Sequence, residues 1–340
     1  MSRLLTILSS CPRLKELTLI GAGPTYVDGE EPTDCLDVSL SHLQTLVLTA
    51  NVAICSKLLS HLSFPADLNC EIDCDIGPGQ ELTTFTLPIS TKCKSLVVVM
   101  YSLCLEMSAY DVRPSTINPK TGRKAQFRVN WGRASPQPSW VDVFEFAVNL
   151  TGRRNITDLR FHPYHAIPEY PSPTAIKLWR RFFCCLPNLR TLKFHNAFEV
   201  NSTKTEVSIA QVLGTPYDKL TSKGGLVCPN LRNVEFSDFN LCVGRGNALE
   251  ELKEFLAFRK LNHARLTTLT LTDCNGLDSD EVALLEPLVG SVVWDYVVRD
   301  DESEYEEEEP DEYDDYGDYE DYEYLDEDWE DDYFSSLWGI

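Results

Sequence analysis

From Asp300 to its end this 340-residue chain has no lysine or arginine. That segment holds 22 of the 53 acidic residues, which leaves 31 acids against 30 Lys+Arg in residues 1–299. The formal net charge of −23 is therefore concentrated at one end. A body this close to neutral disfavours a general nucleic-acid binder, because phosphate contacts need a net basic face. No apolar run approaches ~18 residues, so no membrane-spanning helix is expected. The start also lacks the ~7–15-residue apolar core of a signal peptide. Leu4, Leu5, Ile7 and Leu8 are spaced instead for one face of a short helix leading into Cys11-Pro12. Without a signal, the sequons at Asn149, Asn155 and Asn201 are expected to stay unmodified.

The motifs of several chemistries are missing too. There is no Gly-x-x-x-x-Gly-Lys-Ser/Thr and no Gly-x-Ser-x-Gly, and Gly244-Arg-Gly246 is only a fragment of a glycine-rich loop. None of the 12 cysteines forms a Cys-x-x-Cys pair. Cys70 and Cys74, four apart, and the adjacent Cys184-Cys185 do not supply the spacing of a four-ligand zinc site. His162 and His165 bracket Pro163, which blocks a regular helix, and read as structural histidines. The reading is therefore no enzyme, no metal and no cofactor. Most cysteines sit in apolar segments and are expected to pack as free thiols in a reducing compartment, cytoplasmic and/or nuclear.

What the chain does have is a repeat. An apolar residue, two variable ones, an apolar, a variable and another apolar recur, often after Pro. The copies are Leu14-Lys-Glu-Leu17-Thr-Leu19, Leu43-Gln-Thr-Leu46-Val-Leu48, Leu189-Arg-Thr-Leu192-Lys-Phe194, Leu231-Arg-Asn-Val234-Glu-Phe236 and Leu266-Thr-Thr-Leu269-Thr-Leu271. Weaker copies start at Leu68, at Leu96 with Val99 and Tyr101, and at Ile156 with Leu159 and Phe161. The alternation at the end of each copy is strand periodicity, and the whole matches the leucine-rich repeat, whose turn position holds Asn or Cys. Asn51, Cys104 and Cys274 stand at that position, while Ala22, Ala197 and Phe239 fill it elsewhere. First-leucine intervals of 29, 25 and 28 residues fit the ~20–29 expected, and later ones of 42 and 35 require insertions.

Helices fit between the strands. Ile176, Trp179 and Phe183 fall on one face of the 174–185 stretch, as do Leu249, Leu252, Phe255 and Leu256 of 248–260. Asp278 with Glu281 reads as a capping box. Residues about 105–140 break the pattern and read as an irregular insertion, with Phe127 to Trp131 a possible strand extending the local sheet.

The body, from Leu4 through Val292-Val-Trp-Asp295, resembles the C-terminal repeat region of F-box proteins of mushroom-forming fungi. Leu58-Leu-Ser-His-Leu-Ser-Phe-Pro65 and the Val-Val-Trp-Asp strand carry much of the likeness. The resemblance implies the repeat half of a ubiquitin-ligase receptor, in which repeats bind a protein substrate and an F-box recruits the ligase through a Skp1-like adaptor. Neither Leu87-Pro88-Ile nor Leu186-Pro187-Asn reads as the start of an F-box. The adaptor is thus expected as a partner only where an F-box lies outside this sequence.

The expected architecture is an α/β leucine-rich-repeat solenoid, ribonuclease-inhibitor-like, over 1–298, with parallel strands on its concave side and helices outside. The residues between the inward apolar positions form the expected protein-binding face: Glu16, Thr18, Thr45, Lys193, His195, Glu235, Ser237, Thr270 and Thr272. Residues 299–340 are expected to be disordered. Aromatics interleave with carboxylates there, and Tyr313, Tyr316, Tyr319, Tyr322 and Trp329 are candidate contacts for a basic protein such as a histone. This layout resembles that of the acidic leucine-rich nuclear phosphoproteins. A solvated solubility tail is another reading of the same charges. So is a contact with the chain's own Arg113, Lys120, Arg123, Lys124, Arg128 and Arg133.

Overall fold

Each good copy of the leucine template becomes a strand, because alternating apolar residues bury one side of a pleated ribbon and leave the other polar. The computed structural model describes residues 1–21, 36–77, 93–101, 103–111, 123–132, 142–143, 146–147, 155–163, 173–195, 212–213, 226–238, 248–274 and 277–295. The segment 299–340 with Tyr313, Tyr316, Tyr319, Tyr322 and Trp329 lies outside these residues. So do Arg113, Lys120, Arg133, His165, Gly244, Gly246, Ala22, Ala197 and Phe239.

The chain is mixed α/β, with one large and mostly parallel sheet and few helices. Its strands are β1 (Glu16–Ile20), β3 (Thr45–Asn51), β5 (Asn69–Asp75), β6 (Ser95–Met100), β7 (Cys104–Tyr110), β8 (Arg123–Asn130), β9 (Asp158–Pro163), β10 (Thr191–His195), β11 (Asn233–Ser237), β12 (Thr268–Thr272) and β13 (Ser291–Trp294). They lie in the order β1-β3-β5-β8-β7-β6-β9-β10-β11-β12-β13. A separate pair, β2 (Val38–Ser39) and β4 (Leu62–Ser63), runs parallel beside it. The helices are α1 (Ser2–Ser9), α2 (Val52–Ser60), α3 (Pro173–Cys184), α4 (Ala248–Leu261) and α5 (Ser279–Leu285), the last followed by a 3₁₀ turn at Glu286–Leu288.

Strand pairing aligns the template residues in rows. One row runs Leu17, Leu46, Cys70, Ala125, Ala109, Leu96, Leu159, Leu192, Val234, Leu269, Val292. The next runs Leu19, Leu48, Ile72, Phe127, Met107, Val98, Phe161, Phe194, Phe236, Leu271, Trp294. Both rows join a single apolar cluster with the first leucines of the template and the inward faces of the helices. On α3 the buried face is wider than the spacing alone gave, since Leu178 and Phe182 join Trp179 and Phe183. On α4, Leu249, Leu252, Phe255 and Leu256 are buried as expected.

At two of the three Asn or Cys turn positions the side chain meets backbone groups of the turn. Asn51 caps α2, its Oδ1 accepting from the Ile54 N–H at 2.9 Å. Cys274 is fully buried, with Sγ 3.5 Å from the carbonyls of Phe236 and Thr272. Asn51→Ala is expected to cost about 1 kcal/mol in urea denaturation, the usual worth of such a cap. A loss below ~0.3 kcal/mol would show that the cap contributes nothing.

The third copy is a correction. β6 ends at Met100, and Cys104 opens β7, which runs antiparallel to it. The inward residues of β6 are Leu96, Val98 and Met100, not Leu96, Val99 and Tyr101. A one-residue slip of frame moves every side chain to the other face. Val97, Val99 and Tyr110 accordingly form a small second cluster with Tyr101 on the opposite side of the sheet. The stretch from 105 is also more regular than expected. It supplies β7 and β8, and this hairpin fills the gap between β5 and β6. The expected strand at Phe127 is β8, with Phe127, Val129 and Trp131 buried.

Candidate recognition face

The face opposite the core is built from residues between the apolar rows. All nine predicted positions lie on it: Glu16, Thr18 and Thr45 on β1 and β3, and Lys193, His195, Glu235, Ser237, Thr270 and Thr272 on β10–β12. The structure brings the last six together in two registered rows: Lys193 beside Glu235 and Glu235 beside Thr270, and His195 beside Ser237 and Ser237 beside Thr272. Glu16 and Thr45 face each other at the far end of the sheet, seven and six strands away from β10 in the strand order.

Lys193 Nζ donates to Glu235 Oε2 across the strand pair. His195 Nε2 stands 3.2 Å from Asp238 Oδ2, at the turn that ends β11. Asp238 has φ +59°, and Asp273 in the matching turn after β12 has +52°. Aspartate tolerates this left-handed backbone better than most residues. On the other side of β10 lie Arg160 and His162 of β9. The His162 and His195 rings are 5.3 Å apart.

A second charged group lies on β5, β7 and β8. Glu71, Asp73 and Asp75 alternate along β5 on this face. Arg128 sits in register between Asp73 and Glu106. Gln126 accepts from Arg123 Nη1 at 2.5 Å and donates to Glu106 Oε1 at 3.2 Å. Partial burial raises the Glu106 and Asp73 carboxyls above their ordinary range, with Arg128 pulling against it. Of the basic residues expected to meet the acidic tail, Arg123, Lys124 and Arg128 are described, and all three face groups of the body. Lys124 is 3.9 Å from Asp111.

Sequence reading did not place Arg160, His162, Glu106, Arg128 or the β5 carboxylates on this face. The alternation Glu71-Ile-Asp73-Cys-Asp75 was visible in the sequence, and so was Phe127-Arg-Val-Asn. What was not visible was that β8 lies beside β5.

His162 gives this face a pH signature. Burial first, then His195 and Arg160, hold its imidazole down at about 4. The folded value lies below the unfolded one of ~6.5, so the unfolded chain takes up this proton first as pH falls. The contribution of neutral His162 is present above pH ~6.5 and is lost on acidification towards about 4, with a limiting slope of ~1.4 kcal/mol per pH unit. The raised Glu106 and Asp73 act with the opposite sign, so the comparison is with His162→Gln. The fall in urea midpoint from pH 7 to pH 5 should be smaller for this variant than for the parent. Equal pH dependence would discard the assignment.

Burial holds the Cys70, Cys104, Cys184 and Cys228 thiols protonated, the opposite of an activated thiolate. The ten cysteines that are described form no disulfide, and seven are buried. Burial pushes Cys70, helped by Cys93, and Cys228, against Arg259, up to about 12. Among the described residues no group of three or more His, Cys, Asp or Glu is placed to hold a metal, and no helix is long and apolar enough to cross a membrane.

Sequence reading also missed Arg259, and nothing in α4's spacing pointed to it. Its guanidinium is fully buried and donates to the carbonyls of Ala264, Val227, Cys228 and Leu231 at 3.0–3.3 Å. This ties the end of α4 to the turns that precede β11 and β12. Comparison with family models, curated proteins and solved structures found no match to this chain.

Proposed function

We propose that the chain is a non-enzymatic protein-recognition module whose polar sheet face binds a protein partner. The supporting observation is the registration itself. Two apolar rows cross all eleven strands, and the intervening positions form a second face that is polar on β1, β3, β5, β8 and β9–β12 and interrupted by the apolar Val97, Val99 and Tyr110 of β6 and β7. On that face, charges of both signs are held in fixed register, a pattern that selects partners by complementarity. In this proposal the sheet is the concave side of a leucine-rich-repeat solenoid with the helices outside. The resemblance to fungal F-box proteins makes the partner the substrate of a ubiquitin ligase, with a Skp1-like adaptor joining through an F-box outside this sequence.

The test is affinity capture with the full chain and with Arg160→Glu/Lys193→Glu, using Lys177→Glu on α3 as a control. A substrate retained by the parent and the control, and reduced at least ~10-fold with the double variant, supports the face. Capture unaffected by the double variant removes it. A second reading rests on the 22 carboxylates of 300–340 interleaved with tyrosines: a scaffold or chaperone for basic proteins such as histones. Histone binding that persists after those carboxylates are changed to amides would count against that reading.

A further inference from the structure

The two rims of the sheet differ in charge. Parallel strands put their beginnings on one rim and their ends on the other. The rim where they end carries Asp75, Asp238, Asp273 and Asp295. Asp295 Oδ2 accepts the Asp273 N–H at 2.7 Å, and Asp238 faces His195. The rim where they begin carries Lys94, Arg190 and Arg232, in a ladder with Thr157 and Thr267. Thr157 N donates to Lys94 O at 2.8 Å, Arg190 N to Thr157 O at 2.7 Å, Arg232 N to Arg190 O at 2.8 Å and Thr267 N to Arg232 O at 2.7 Å. Arg265 lies at the β12 end of the row, its guanidinium on the carbonyls of Pro287 and Val289. Of the acids on this rim, Asp158 at the start of β9 lies between Lys94 and Arg190 and accepts from the Thr157 hydroxyl at 2.7 Å, while Asp111 beside Lys94 and Asp67 and Glu16 towards β1 lie away from the Arg190–Arg265 stretch.

Lys94, Arg190 and Arg232 are exposed, and their side chains have no ion pair or hydrogen bond among the described residues. Adjacent strands are ~4.8 Å apart, so Arg190 and Arg232 are direct neighbours of like sign. Like charges side by side on a sheet are destabilising unless an anion lies over them. The repeat template itself puts them there, as Pro187-Asn-Leu-Arg190 and Pro229-Asn-Leu-Arg232.

We infer that this basic rim is the docking surface for the chain's own carboxylate-rich segment, residues 300–340. Charge and position both favour it. The chain leaves β13 at Asp295, on the acidic rim, and its first carboxylates follow at 300. A run of five residues spans at most ~17 Å, about the length of a strand here, so those carboxylates can reach the opposite rim. Leaving β13, they meet Arg265 first, then Arg232, Arg190 and Lys94. Repulsion from the acidic rim and attraction to the basic one act in the same direction. Tethering in one chain supplies an effective concentration in the millimolar range, which an acidic segment of another protein would have to exceed. This inference does not depend on what the polar sheet face binds.

Carbodiimide, which joins an amine directly to a carboxylate in contact with it, reads the docking on the full chain. Arg190→Lys/Arg232→Lys keeps both charges and places two more amines beside Lys94. At ~50 mM salt the expected cross-links run within one chain, from residues 94, 190 and 232 to carboxylates of 300–340. They should exceed those from Lys57 and Lys177 by at least ~5-fold and lose that excess at ~1 M salt. Equal yields from all these lysines would overturn the inference, and so would rim cross-links found only between two copies. A 20-nucleotide oligothymidylate is the competing polyanion. If it binds the full chain, loses that binding in Arg190→Gln/Arg232→Gln, and the rim cross-links are absent without it, the rim is a phosphate-backbone site and the inference fails.

Discussion

Arg259→Ala is expected to lower the stability of the protein by about 3–5 kcal/mol, measured as the loss in urea-unfolding free energy by circular dichroism. Alanine removes the guanidinium donor from four buried carbonyls, of which that of Cys228 keeps the Leu231 N–H, and opens a cavity beside Phe255, over which the guanidinium lies at 5.9 Å. Among the described residues its partners are four carbonyls and the Phe255 ring, with no carboxylate. Desolvation, offset by Cys228 and reinforced by Arg232, lowers its pKa to about 10, which keeps it charged at neutral pH. Arg259→Lys separates charge from geometry. A lysine keeps the charge but not the planar fork that reaches four acceptors, so it should recover less than half of the loss. Equal stability of parent and alanine variant would show that water replaces the guanidinium without cost.

The second large effect is Trp179→Ala, with an expected loss of about 3–5 kcal/mol and a loss of near-ultraviolet ellipticity. The indole is 1% exposed and lies at the centre of an aromatic group. Its ring is 4.9 Å from Phe161 on β9, 5.7 Å from Phe183 and 6.3 Å from Phe182 on α3, and 6.2 Å from Phe194 on β10. Phe161 and Phe194 stack at 5.3 Å across the strand pair. Trp179 therefore joins one helix to two strands. Trp179→Phe, which keeps an edge contact, should cost less than half as much. A near-neutral alanine variant would mean that the neighbouring rings close over the gap.

These two residues mark how far the sequence could be read. Trp179 was legible, because helical spacing put it with Ile176 and Phe183 on one apolar face. Arg259 was not. It sits in the last turn of α4, where a basic residue ordinarily points to water and favours the helix dipole. Its burial follows from the turn at Val227–Leu231, nearly 30 residues earlier in the chain, which presents its carbonyls at that place. The polar sheet face divides the same way. Lys193, Glu235 and Thr270 stand at one position of the template in consecutive strands, so their alignment could be read directly. Asp73, Arg128 and Glu106 stand in three strands whose sequence order is β5, β8, β7, and only pairing shows that they meet.

The sequence alone determined which residues face inward in the regular copies. A strand's side chains alternate whatever its neighbours are, and the leucines at 17, 46, 192 and 269 had only one side to bury. It also determined the capping of α2 and α5, which depends on residues three positions apart. Only the tertiary structure decided the frame of β6, the insertion of β7 and β8, the burial of Arg259 and the opposite charges of the two rims. Each of these depends on the register between segments distant in the chain. Register is set by packing a whole face at once, not by any local run of residues.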